Sequence, residues 1–199
     1  MKIGIFGGSF DPIHKGHLNM AEKAWMEYGL DEVWLIPAGH SPNKDEARMT
    51  AAEERLAMCK IAAKTKPYLK VSDIEVASSE RSYTYRTLQK LKQLHPADDF
   101  FFLMGADSLD YFEQWSHPEI ISSLSHILVV NRDEFEEQDL LEKIKEIRQL
   151  FPADIRIVHC DKYPVSSHEI RKKLSSGLDV SEWMDEAVLQ YLKKKKLYV

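Results

Sequence analysis

Residues 2–17 read KIGIFGGSFDPIHKGH, and the fold class follows from how that stretch is punctuated. Lys2 to Phe6 is an apolar run with no helical period, the pattern of a short buried strand stopping at Gly7-Gly8. Two adjacent glycines predict a tight turn with room for a ligand, since neither carries a Cβ and both tolerate positive φ. Asp11-Pro12 predicts a second turn, because proline fixes its own φ and biases the residue before it away from helix. The next helix is expected to begin near Lys15 to His17. Its free N–H groups and positive dipole end then point back at the glycine turn, an arrangement suited to phosphate.

His14 and His17 stand three apart at that helix start, close enough to face one pocket. Taken alone, such a pair reads as a solvated first turn. Beside a strand, a Gly-Gly turn and a helix start, it reads as donors to phosphoryl oxygens whose charge responds near neutral pH. A zinc site is disfavoured, because HExxH spacing is absent and no nearby cysteine pair adds ligands. Neither GxxxxGK[ST] nor GxGxxG spacing is present.

Downstream the periods alternate. Leu18, Ala21, Trp25 and Tyr28 recur at helical spacing before Gly29, and Glu32 to Pro37 follows as a second strand. A polar loop spans residues 38–49, and Thr50-Ala51-Ala52-Glu53 has the form of a capping box opening a helix through Leu56, Cys59 and Ala63. A strand is expected within residues 68–76, a helix over 84–94, and a fully apolar central strand at Phe100 to Met104 that ends in Gly105-Ala106-Asp107-Ser108. Strands at 127–130 and 155–158, a helix using Leu140 to Ile147, one after Ser166-Ser167, and one from about Glu182 to Lys194 complete the chain. This predicts an α/β fold, a doubly wound parallel sheet with a small C-terminal helical extension.

The stretch from Gly7 to His17 resembles the GGSFDPxHxGH signature of the HxGH nucleotidyltransferase superfamily, and most resembles the bacterial nicotinate-nucleotide adenylyltransferase family. Three later patches carry the resemblance across the chain. Ser166-Ser167-His168-Glu169-Ile170-Arg171 is similar to ISSTxIR, Tyr83 to Leu88 to YTxxTL, and Gly105-Ala106-Asp107-Ser108 with Trp115 to the GxDS and W positions. The resemblance implies a Rossmann-like fold and transfer of the adenylyl group of ATP to nicotinate mononucleotide in NAD biosynthesis, with Mg2+ carried on the ATP. It implies that His14, His17, Lys44 and Arg171 act at the reacting phosphates. Gly7, Gly8, Ser9, Phe10, Gly105, Asp107, Ser166, Ser167 and Ile170 would then bind ATP, and Thr84, Trp115 and Arg132 the mononucleotide; no residue is assigned to a metal. Three positions depart from the pattern: Asn43 and His168 stand where the family has His and Thr, and Ser116 where an aromatic is common. Other transferases of the superfamily, acting on phosphopantetheine or with CTP, and a non-catalytic nucleotide-binding regulator are the alternatives.

The 199 residues suit a single nucleotidyltransferase domain, with 164–199 as its helical part. A formal net charge of -5 argues against a nonspecific nucleic-acid binder. No run is long enough to span a bilayer, and Cys59 and Cys160, far apart and outside any CxxC, fit reduced thiols in the cytoplasm. Oligomeric state has no signature in the sequence.

Overall fold

In the computed structural model, which describes residues 1–41, 49–132, 135–161 and 163–198, the alternating periods become parallel strands flanked by helices. β1 (Lys2–Gly8), α1 (Lys15–Tyr28), β2 (Glu32–Pro37), α2 (Ala52–Ala63), β3 (Leu69–Val71) and α3 (Thr84–Leu94) make the first half. The second half contains β4 (Asp99–Gly105), α4 (Ala106–Leu109), a 3-10 turn at Phe112–Gln114, α5 (Pro118–Leu124), β5 (His126–Asn131), α6 (Glu137–Leu150) and β6 (Ile155–His159). Two further helices, α7 (Ser167–Ser175) and α8 (Glu186–Lys195), end it. The sheet order is β3-β2-β1-β4-β5-β6 with every pairing parallel. The winding reverses between β1 and β4, which makes this a doubly wound Rossmann-like sheet.

Side chains alternate across the strands and divide the core into two layers. Phe101, Leu103, Leu128 and Val130 face α1 and α2, where Ala21, Ala24, Met58 and Cys59 meet them, and α7 and α8 add Ile170, Val188 and Leu192 to the same cluster. Ile3, Ile5, Phe100, Phe102, Ile127 and Val129 face the other way, onto Leu88, Leu109, Ile121 and Ile144 of α3 to α6. Strands covered on both faces account for the unbroken apolar run from Phe100 to Met104. No helix among the described residues is long and apolar enough to cross a membrane.

Register explains where the sheet opens. β1 pairs with β4 only from Lys2↔Asp99 to Ile5↔Phe102. Beyond that point β1 stays paired with β2 as far as Gly8↔Pro37, and β4 with β5 as far as Gly105↔Val130. The two central strands therefore separate over their last residues. The crevice between them has Gly7 and Gly8 on one side and Met104 and Gly105 on the other, at the switch point where ligands of such sheets bind.

Several local expectations are corrected. β1 does not stop at the glycines but runs through them, and neither has positive φ; the left-handed residue is Phe10, at φ 47°. Gly8 is required for space instead, because a Cβ there would lie 3.1 Å from the Phe10 ring. The capping box at Thr50 does not form: α2 starts one residue later with Ala51 as its cap, and its buried stripe is Arg55, Met58, Cys59 and Ala62. The strand expected within 68–76 is present, as the three residues Leu69–Val71. α8 begins at Glu186, where the Asp185 carboxylate accepts from the Ala187 and Val188 N–H groups, rather than near Glu182.

Candidate active site

His14 caps α1 and is buried, and its ring lies 3.8 Å from that of His17, centroid to centroid, tilted by 31°. The two imidazoles face each other beside the open end of β1. Gly16 makes this possible, since a Cβ there would sit 3.0 Å from Cε1 and Nδ1 of His14. His17 Nδ1 accepts a hydrogen bond from the His14 backbone N–H at 3.3 Å, so in the neutral ring the proton is on Nε2. Phe10, buried beneath the turn, packs its ring edge-on to His17 at 5.1 Å and fixes the imidazole from below.

Burial holds His14 neutral, pulling its pKa down from 6.5 to about 4, and the Arg132 guanidinium pushes in the same direction. Arg132, just past β5, is thus close enough to the imidazole pair to be felt there. Stability should follow. Above pH 6.5 His14 is neutral in folded and unfolded chains alike; as pH falls from 6.5 toward about 4, the unfolded chain takes up a proton that the folded one refuses. Wild-type protein should therefore lose urea resistance across that window more steeply than His14→Gln. Parallel midpoint curves would show that His14 is not held neutral.

The loop after the glycines is fastened to the C-terminal helices. Asp11, only 4% exposed, accepts from the Tyr198 hydroxyl through Oδ1, and its backbone carbonyl accepts from Arg171 Nη1. Arg171 Nη1 also lies 3.9 Å from Asp11 Oδ2. Ser167 Oγ donates to the Pro12 carbonyl at 3.0 Å, and Lys15 Nζ donates to the carbonyl of Glu182 at 2.8 Å. Ser166 caps α7 in a reciprocal pair with Glu169. Arg171 and the start of α7 are thereby held against the turn that precedes the histidines. Ile170, in contrast, is fully buried in the core, where it anchors α7 rather than lining the crevice.

Arg55 sits beneath the same turn, 2% exposed. Nε donates to the Thr50 carbonyl at 2.9 Å, Nη1 to Ser9 at 2.7 Å, and Nη2 to Ala38 at 2.6 Å and Gly39 at 3.4 Å. Burying a guanidinium costs several kcal/mol. Hydrogen bonds from a charged donor, at about 1.5–3 kcal/mol each, offset that cost.

The later patches lie on two elements, the start of α3, which is bonded to the end of β2, and the turn after β4. α3 begins at Thr84, with Tyr83 in the cap position; the Tyr83 carbonyl accepts from the Arg86 and Thr87 N–H groups, so the N–H groups of Thr84 and Tyr85 stand at the helix mouth with no carbonyl a turn earlier. Trp115 is partly buried against Phe102, Phe112 and Tyr111, with Phe102 at 6.1 Å. Asp107 is exposed in the first turn of α4, and its carboxylate closes over Gly105, where a Cβ would meet Oδ1 at 2.4 Å. Gly7 borders open space, since a Cβ there would have nothing within 4 Å. Lys44 and Asn43 lie outside the described residues.

Sequence reasoning misses Arg55 and Tyr198, and reads Asp11 only as part of the Asp11-Pro12 turn and the signature around it. The one available signal for Arg55 was a charge falling on the apolar stripe of α2 once its register is set by Met58 and Cys59. The pairing of Asp11 with Tyr198 offers none, the two being 187 residues apart.

The cytidylyltransferase-like family matches residues 5–173. A probable nicotinate-nucleotide adenylyltransferase of Lachnoclostridium phytofermentans is 34% identical over 198 residues, covering 100% of this chain and 99% of that protein. Among solved structures, the Plasmodium falciparum nicotinic acid mononucleotide adenylyltransferase complexed with NaAD superposes with a TM-score of 0.81 at 25% identity, over 99% of this chain and 97% of that one. The same enzyme complexed with APC gives 0.78 at 25% identity, over 99% and 96%.

Proposed function

The chain belongs to the cytidylyltransferase-like family and, within it, to the nicotinate-nucleotide adenylyltransferases, and on that premise we propose that it transfers the adenylyl group of ATP to nicotinate mononucleotide. The products are nicotinate adenine dinucleotide and pyrophosphate, in the biosynthesis of NAD. The observation that carries this reading is the facing pair of imidazoles at the mouth of α1, set beside the crevice where β1 and β4 part.

The phosphate of the mononucleotide attacks the α-phosphorus of ATP in line. As an anion already, it needs no general base, so catalysis rests on alignment and on charge stabilisation at the transferring group. His17 donates a hydrogen bond from its Nε2–H to an α-phosphate oxygen, and His14, neutral when the site is free, is drawn toward its charged form as phosphate charge arrives. Arg171, held at Asp11 through Nη1, and Lys44 take the outer phosphates, while Gly7, Gly8 and Ser9 let the triphosphate approach the backbone. Asp107 accepts from a ribose hydroxyl. Trp115 stacks on the pyridine, the mouth of α3 at Thr84 takes its carboxylate, and Arg132 meets the phosphate of the mononucleotide.

A divalent metal enters as part of the nucleotide substrate; we propose magnesium, which would offset the negative charge of the phosphates. No group of three or more His, Cys, Asp or Glu suited to a metal occurs among the described residues. The whole chain serves as one nucleotidyltransferase domain, a view supported by the core that residues of α7 and α8 share with α1 and α2. It acts in the cytoplasm, which suits two buried cysteines, Cys59 and Cys160, that are not joined in a disulfide.

Competition tests the acceptor. With nicotinate and nicotinamide mononucleotides offered together with ATP and magnesium, the acid should be consumed at least about tenfold faster, because a helix mouth favours a carboxylate over a neutral amide. Equal consumption would contradict the placement of the pyridine carboxylate at α3.

A further inference from the structure

We propose that Arg55 is a positioning residue for this reaction, clamping the nucleotide-binding turn after β1 (residues 9–14) and the acceptor loop that leads into α3 (residues 72–83) at one fixed separation. The inference rests on the adenylyl-transfer reading above. Its starting point is that one buried side chain gathers backbone carbonyls from three separate segments: Ser9 after the glycines, Thr50 before α2, and Ala38 with Gly39 after β2. Its described hydrogen-bond partners are all carbonyls, and the Asp11 carboxylate is close enough to favour its charge. A cation held this way does nothing for packing that an apolar chain of the same length would not do with less desolvation. What the fork adds is direction, since its planar donors fix the peptide units that they touch.

The Ala38–Gly39 peptide is gripped from both sides. Its carbonyl accepts from Arg55 Nη2, and its N–H donates to Ser82 Oγ at 3.0 Å. Ser82 is in turn bound to this strand end through its own N–H, which donates to the His40 carbonyl at 2.8 Å, and His40 and Arg81 form an isolated parallel bridge. Gly39 lies so close to the acceptor loop that a Cβ would come 2.2 Å from the Glu75 carbonyl oxygen. The Glu75 side chain, its pKa raised by burial, accepts from Thr87 Oγ1 at 2.6 Å, inside the first turn of α3. A continuous series of hydrogen bonds and contacts thus runs from Ser9 through Arg55, Gly39 and Ser82 to α3. On the opposite side, the Ser9 carbonyl turned toward Nη1 obliges the Phe10 N–H of the same planar peptide to point away from the guanidinium. Arg55 touches neither substrate; it sets the distance between the two surfaces that hold them.

Arg55→Met and Arg55→Lys test this. The readouts are kcat, both KM values, melting temperature, and equilibrium binding of a non-reactive α,β-methylene ATP. Misalignment of two bound reactants should lower kcat of folded Arg55→Met about 100-fold, while binding of the analogue weakens less than about fivefold. Arg55→Lys, with a point charge that serves one segment at a time, should fall between Met and wild type. Folded Arg55→Met with kcat within about threefold of wild type would overturn the role, as would a loss that tracks the unfolded fraction and is recovered on cooling. If Arg55→Met does not fold, Arg55→Lys decides alone: wild-type kcat overturns the proposal, and a reduced kcat with near-normal analogue binding supports it. Wild-type protein that binds the analogue yet releases no pyrophosphate from ATP and nicotinate mononucleotide overturns the adenylyl-transfer reading and this inference together.

Discussion

His17→Ala is expected to lower kcat by about 10³-fold, the upper end of what removing one preorganised donor to a developing oxyanion costs. The expectation rests on tautomer and placement. With Nδ1 accepting from the His14 N–H, Nε2 is the donor, and the ring is fixed by Phe10 at 5.1 Å and His14 at 3.8 Å, so little reorganisation is needed as charge builds on the α-phosphate. Truncation to alanine also empties a packed position. His17→Phe is the control, because it keeps ring contact with Phe10 but has no proton to give. If the donor matters, both variants lose turnover by similar factors; if packing matters, His17→Phe recovers it. Initial rates of pyrophosphate release, with melting temperature alongside, separate the two.

Gly7→Val should abolish productive nucleotide binding while leaving the fold intact, a loss of at least about 100-fold in kcat/KM for ATP. Gly7 lies within β1 without positive φ, so a β-branched residue is compatible with its backbone, and a Cβ at that position meets no atom within 4 Å. That open side is where the triphosphate is proposed to lie, and a valine would occupy it. Gly8→Ala makes the contrast, because its Cβ meets the Phe10 ring at 3.1 Å and strains the packing under His17. Melting temperature should therefore fall for Gly8→Ala but hold for Gly7→Val. A Gly7→Val protein with unchanged KM for ATP would place the triphosphate elsewhere.

What could be read from the sequence was whatever is local. The strand, the histidine pair and the helix start share sixteen consecutive residues, and the βα alternation depends on periods within single elements, so both were visible in residue order. The reason for the glycines was not. A glycine that needs positive φ and one that needs room are the same letter, and here Gly8 and Gly16 leave room for the Phe10 and His14 rings. Thr50 through Glu53 has the spelling of a capping box. In the fold, however, the Thr50 carbonyl serves Arg55 and its N–H reaches toward Asp11 at 3.5 Å, so tertiary partners claim the residue before the helix can. The roles of Asp11, Tyr198 and Arg55 are not legible for a related reason: their contacts with Tyr198, Asp11 and Ser9 respectively join segments distant in the chain, and no spacing rule connects them. The crevice was foreseen only as a general property of strand ends, while its actual cause is the early end of β1–β4 pairing at Ile5↔Phe102.

A crystal structure of the protein with α,β-methylene ATP and nicotinate mononucleotide would show where both substrates sit. The triphosphate is expected to lie across Gly7 and Gly8, with His17 Nε2 about 3 Å from an α-phosphate oxygen and the pyridine carboxylate at the N–H groups of Thr84 and Tyr85. A nucleotide seated away from the opening between β1 and β4, or one whose α-phosphate lies beyond reach of both imidazoles, would contradict this placement.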